Sequence, residues 1–178
     1  MRRRRSGAGA AGNEISLRPP GPADVLEIAA LIENLSRRYL DQDLTAEGRA
    51  VIKAASGPGA LGARWAGVVH PSPNPRFVAV DGGRAGGGRI VGYGAVRDRT
   101  HITQLFVAEE YQGRGIGHRL VRALAEAVRA GNPQAVEITL NSAPTALDAY
   151  LRMGFRPSGP RYVWRGIPGQ PMAMPLPK

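Results

Sequence analysis

At 178 residues and 43% hydrophobic, the chain can bury the core of one domain and is too short for two of ordinary size. It has no cysteine, which excludes a disulfide scaffold, a thiolate zinc site and a cysteine nucleophile; no stretch approaches the ~18 apolar residues of a membrane span, so a cytoplasmic protein is expected. The net charge of +10 attracts phosphates in general and does not by itself separate nucleic acid, anionic membrane and nucleotide cofactor.

Four of those charges lie in Arg2 to Arg5. The following residues, Ser6 to Asn13, are small and glycine-rich without an apolar core, so the opening reads as a disordered basic tail over 1–13 and not as a secretion signal. One domain is expected over 14–178. Glu14 to Arg18 alternates polar and apolar as a half-buried strand does, and Pro19-Pro20-Gly21-Pro22 ends it. Asp24 is placed to cap a helix with Val25, Ile28, Ala29, Ile32 and Leu35 on one face, and a second helix is expected from Thr45 to about Ala55. The stretch from Leu61 to Pro75 carries no pattern; its Trp65 is a candidate core residue.

Strands are expected at Phe77–Val80 and Arg89–Val96, joined by a glycine-rich hairpin loop without the Lys-Ser/Thr of a phosphate loop. A third strand, His101–Val107, runs through Glu109 and Glu110, read as solvated loop charges, into Gln112-Gly113-Arg114-Gly115-Ile116-Gly117. The helix that follows has Ile116, Leu120, Val121, Leu124 and Val128 on one face and stops at Gly131-Asn132-Pro133. Val136–Leu140 is an alternating strand, Pro144–Met153 a short helix before Gly154, and strands are expected near Tyr162–Trp164 and Met172–Met174. Such an order indicates a mixed α/β chain with a largely antiparallel sheet.

The glycine turn is the clearest functional signal. It opens a helix directly after an apolar strand, where unpaired N–H groups, the helix dipole, Arg114 and close backbone approach through glycine favour an anion such as a diphosphate. It does not follow the dinucleotide-binding spacing, because position 118 is histidine where a third glycine would fall. With Leu105-Phe106-Val107, with Ile138-Thr139-Leu140-Asn141 and with Tyr150-Leu151-Arg152-Met153-Gly154-Phe155, this turn closely resembles the GNAT superfamily of N-acetyltransferases over about residues 101–157.

That resemblance implies an α/β GNAT fold with a six- to seven-stranded sheet, about four helices, and a V-shaped split between the His101–Val107 and Val136–Leu140 strands. It implies acetyl-CoA as cofactor, its pyrophosphate on Gln112, Gly113, Arg114, Gly115, Ile116 and Gly117, its pantetheine along Leu105, Phe106 and Val107, and Asn141 bonding that arm or an ordered water. Tyr150 matches the family's frequent general acid, and His101 stands where a histone-acetylating branch carries a glutamate base. For each the plainer reading stays open: a packed tyrosine, a surface histidine, a turn asparagine. The implied activity is acetyl transfer to a primary amine, with walls for the acceptor from 36–64 and the C-terminal strands, and a homodimer is left open. The competing reading is a nucleic-acid-associated binding protein that uses Arg2–Arg5, Arg37, Arg38, Arg161 and Arg165; the low aromatic content, 6%, weighs against it.

Overall fold

The computed structural model describes residues 14–40, 42–56, 74–82 and 88–176. The basic tail, Trp65 and most of the 82–88 loop lie outside the described residues. Eight strands form one sheet: β1 Ile15–Arg18, β2 Arg76–Asp81, β3 Arg89–Arg97, β4 His101–Val107, β5 Glu137–Ser142, β6 Arg156–Pro157, β7 Tyr162–Trp164 and β8 Ile167–Pro175. The order is β1-β2-β3-β4-β5-β8-β6, with β7 also paired to β8; β4 and β5 are parallel and every other pair is antiparallel. The count exceeds the expected six or seven because β6 is two residues long, too short to show a period.

The described residues include four α-helices, in line with the expected number: α1 Val25–Leu35, α2 Ala46–Ser56, α3 Ile116–Gly131 and α4 Leu147–Arg152. None among the described residues is long and apolar enough to cross a membrane. The spacing of Ile28, Ile32 and Leu35 puts all three on the buried side of α1, where Ile28 and Ile32 meet Val78, Val80, Ile90, Tyr93 and Ala95. Asp24 does not cap that helix through its side chain. Its carboxylate instead receives both Arg18 guanidinium nitrogens, at 2.6 and 2.8 Å, and the Gly21 N–H at 2.6 Å. The nearby Arg18 charge was a stronger partner than the helix amides, and it holds the Asp24 carboxyl below its ordinary range, so this clamp joins the end of β1 to the start of α1.

On the opposite face α3 is seated on glycine. β3 is buried along seven consecutive residues, yet it contains Gly92 and Gly94. A Cβ on Gly92 would lie 3.1 Å from Leu120, 3.2 Å from Ala79 and 3.3 Å from Ile116; on Gly94 it would lie 3.0 Å from Leu124. The missing side chains let the Ile116, Leu120 and Leu124 ridge sink onto the strand, and this sets the height at which the first turn of α3 meets the end of β4.

Two substitutions check that seating by urea denaturation. Leu120→Ala should cost about 2–5 kcal/mol by leaving a cavity above Gly92. Gly92→Val should cost about 1–3 kcal/mol by overfilling the same place. Unchanged midpoints for both variants would mean that α3 does not rest on β3 in this way.

Candidate functional site

β4 and β5 run side by side for two residue pairs only, His101 with Thr139 and Ile102 with Leu140. The cause lies on the other edge of β4. Against β3 the register jumps from Gln104 opposite Ala95 to Ile102 opposite Val96, so Thr103 is an extra residue. A bulge bends its strand and raises the local twist, which turns β4 away from β5 directly after the last shared pair. The V-shaped split stands where the sequence places it.

The split exposes backbone. Ala108 donates its N–H to Val91 O in β3 at 2.9 Å, so by alternation the N–H groups of Val107 and Leu105 point to the edge that β5 has left. Side chains here are already in use. Leu105 and Val107 pack toward the α3 side, and Phe106 packs on the α1 side with Tyr93 and Ile90. What these three positions offer a ligand is main chain.

Beyond β4 a short turn, Glu109–Tyr111, leads into Gln112–Gly117. Gln112 Nε2 donates to Val107 O at 3.0 Å, fixing the turn to the strand end. Gly113 and Gly115 have φ of +73° and +76°, with nothing within 4 Å of where a Cβ would stand. This left-handed backbone favours glycine, and the open space leaves a concave anion seat. No side chain caps α3; its first internal bond is Arg119 N–H to Gly115 O, so the amides of Ile116, Gly117 and His118 are left for a ligand. Gly117 allows the end of α4 to close in, since a Cβ there would lie 3.0 Å from Met153 Cε.

Arg114 is held over the Tyr111 ring at 5.0 Å, and Arg89 lies 5.8 Å from the same ring. Tyr111 in turn donates its hydroxyl proton to the buried Asp81 carboxylate at 2.6 Å. Sequence reading missed this support. Its signal was weak: an aromatic residue three positions before Arg114, with the acid 30 residues away.

His101 stands at the base of the split. Its Nδ1 lies 2.8 Å from Thr139 Oγ1 and its Nε2 lies 3.3 Å from Asn141 Nδ2. An amide donor opposite Nε2 makes that nitrogen the acceptor and leaves the proton on Nδ1, with the Thr139 hydroxyl accepting it. Burial and the nearby Arg97 charge lower the His101 pKa below its usual value, favouring the neutral ring. Asn141 is thus within β5 and beside His101, on the strand face it shares with Thr139. The alternation of β5 carried this signal, since residues 139 and 141 must share a face.

Tyr150 lies on α4, half-buried against the core with Leu147 and Leu151. Phe155, fully buried, meets its ring edge-on with centroids 5.8 Å apart. Burial pushes the phenol up to about 12. Among the described residues nothing hydrogen-bonds its hydroxyl.

The acceptor side is closed by contacts between distant segments. Thr145 donates its hydroxyl to Asp43 at 2.7 Å, tying the α1–α2 loop to the start of α4. Thr45 N–H donates to Gly166 O at 3.1 Å, and Arg165 pairs with Glu47, so the β7–β8 turn is anchored on the first turn of α2. Glu109 and Glu110, expected as solvated loop charges, are exposed and make surface ion pairs with Arg38 and Arg89. Arg37 pairs with Glu33. Three arginines named for polyanion binding, 37, 38 and 165, are therefore paired.

The family model for the GNAT acetyltransferase domain matches residues 65–176. A GCN5-related N-acetyltransferase from Rhodopseudomonas palustris is similar at 24% identity and a TM-score of 0.69, over 90% of this chain and 95% of the other. PaiA N-acetyltransferase from Thermoplasma acidophilum, solved in complex with coenzyme A, is 13% identical with a TM-score of 0.66 over 91% and 99% of the two chains. Spermidine N-acetyltransferase from Vibrio cholerae, in complex with CoA and spermine, is 19% identical with a TM-score of 0.63 over 91% and 95%. No curated protein sequence is similar enough to match. A match over more than half of the chain, running through the split strands and the glycine turn, establishes that this protein belongs to the GNAT acetyltransferase family.

Proposed function

We propose that this protein transfers an acetyl group directly from acetyl-CoA to a primary amine, with Tyr150 as general acid and His101 as the group that takes up the amine proton. The observation that carries this reading is the split itself: an open strand edge that leads to uncapped helix amides, with Tyr150 on the helix closing its far side.

Acetyl-CoA is the acetyl donor of the family, and the residues present suit it. A diphosphate matches the space over Gly113 and Gly115, the amides of Ile116 and Gly117, and the Arg114 charge held by Tyr111. An amide-bearing arm matches the open edge at Leu105 and Val107. When bound, the donor supplies an activated thioester.

The chain's own groups then divide the work. The Val107 N–H points toward the split, where it can stabilise negative charge on the carbonyl oxygen. The lowered pKa keeps His101 Nε2 unprotonated near neutrality, and once the amine or a water displaces the long Asn141 bond its lone pair can take the amine proton. With the donor bound, Tyr150 would protonate the sulfur that leaves as the C–N bond forms, and the proton taken up by His101 would return through solvent to the phenolate, restoring both side chains. A phenol with a pKa of about 12 remains protonated throughout the working pH range.

Three measurements test the reading. Gly115→Val puts a branched side chain at φ +76° in the anion seat; acetyl-CoA affinity by titration calorimetry should fall about tenfold or more, the equivalent of one or two charge-assisted bonds. A folded variant with wild-type affinity would show that the turn is not the diphosphate site. Tyr150→Phe keeps the packing on Phe155 and removes the proton donor, so kcat should drop by about 10²-fold while acetyl-CoA affinity holds. A kcat within a few-fold of wild type removes Tyr150 from the mechanism.

The pH profile tests His101. Protonation destroys the base, so kcat at saturating acceptor should decline as pH falls through a value below the ordinary histidine pKa of ~6.5, and His101→Gln should abolish that limb. No alkaline limb from Tyr150 is expected below pH ~11, given its raised pKa. An acid limb that survives in His101→Gln belongs to another group.

A further inference from the structure

At the C-terminal end of β5 a cavity of about 350 Å³ opens between the start of α4 and the β7–β8 hairpin. Its walls include Ser142, the last residue of β5, and Leu147, one helical turn before Tyr150 and Leu151. Tyr150 itself packs into the core one helical turn beyond Leu147 and is not part of the cavity wall. The wall chemistry is distinctive: Pro144, Leu147, Val163 and Pro168 are apolar, Tyr162 lies against Gly169, and Arg161 is the charged side chain among the described lining residues.

Arg161 is aimed and not neutralised. Its Nε donates to Gln170 Oε1 at 3.3 Å, and Gln170, itself buried, is locked by Nε2 bonds to Gly159 O at 2.8 Å and Pro171 O at 3.0 Å. This side-on grip leaves the two terminal nitrogens to donate elsewhere, the arrangement that receives a carboxylate in bidentate fashion. Among the described residues no carboxylate pairs with Arg161. Of the nearby acids Glu47 pairs with Arg165, Asp43 accepts the Thr145 hydroxyl and keeps its charge, and Asp148 stands in the first turn of α4.

We propose that this cavity is the acceptor site, resting on the acetyl-transfer reading above, and that its acceptor is a small amine that also bears a carboxylate and an apolar group, an apolar amino acid in chemical class. The carboxylate docks on Arg161, the apolar group fills the Pro144, Leu147 and Pro168 wall, and the amine is left toward the split between β4 and β5. Polyamines are disfavoured. A second ammonium within the cavity would stand beside the Arg161 charge and against apolar walls, where it is repelled and poorly solvated.

The test compares leucine, methionine and phenylalanine with their carboxamides and with spermidine, following thiol release at fixed acetyl-CoA and the shift in melting temperature each acceptor causes. The amino acids should be consumed with higher kcat/KM than either their amides or spermidine, and should raise the melting temperature where the amides do not. Arg161→Gln, on an exposed side chain, should raise KM for the amino acids about 10- to 100-fold, erase their stabilisation, and leave KM for the amides unchanged. Preference for spermidine or for the amides, no amino acid consumed, or an Arg161→Gln protein with unaltered KM would each overturn this assignment. Those results leave the acetyl-transfer reading standing if acetyl-CoA still raises the melting temperature and another amine is acetylated; absence of any acetyl-CoA effect would remove both.

Discussion

The site depends on one departure from regular pairing, the parting of β4 from β5 after Ile102. A parallel pair that continued would satisfy both strand edges and leave no place for a ligand. The extra residue at Thr103 turns the strand while its other edge stays bonded to β3, so the open edge is rigid on one side and available on the other. The open edge is half-exposed, so water can serve its N–H groups, and a ligand arm that supplies amide carbonyls replaces a lost sheet bond with an equivalent one. Binding and folding share the same chemistry here.

An open edge would have little value unless the anion seat met it at the right height. That height is set across the sheet, where Leu120 and Leu124 rest on Gly92 and Gly94. Small residues in β3 bring α3 close, and Gln112 bonds the turn back to Val107. The first turn of α3 then lies at the mouth of the split, with Met153 of α4 in contact with Gly117 from the other side. Arg114 needs no ion pair to be positioned, because the face of Tyr111, held by Asp81, does so while leaving its charge for an incoming anion.

The acceptor side is built on a different principle. Its walls come from segments far apart in the chain: the α1–α2 loop, the start of α4 and the β7–β8 hairpin. They are joined by single contacts, Asp43 to Thr145 and Thr45 to Gly166, and not by a continuous core. Exposed ion pairs such as Arg165 with Glu47 add little stability at ordinary salt, but they remove charge from the surface around the cavity and leave Arg161 as its electrostatic signature.

The half of the molecule that handles the donor was legible in the sequence because its logic is local. A strand, a glycine turn and an amphipathic helix are contiguous, and each carries its own period or backbone requirement, so these elements followed from residues 101–157, while the split was what the family resemblance implied. The pairing of His101 with Thr139 and Asn141 was only half legible: alternation put the β5 residues on one face, but nothing in the spacing said that β4 would bring a histidine to them. Asp24 was misread as a helix cap, since its true partner, Arg18, competes through charge that a capping pattern does not register. Of the proposed acceptor cavity only the part contributed by the C-terminal strands was expected from the sequence; its particular residues were not. Arg161 and Gln170 are nine residues apart on paired strands, Leu147 and Ser142 belong to another unit, and Asp43 meets Thr145 across 102 residues. Local propensity determined the strand, turn and helix of the proposed donor site; the proposed acceptor cavity was decided by tertiary packing, because it exists only where separately folded segments meet.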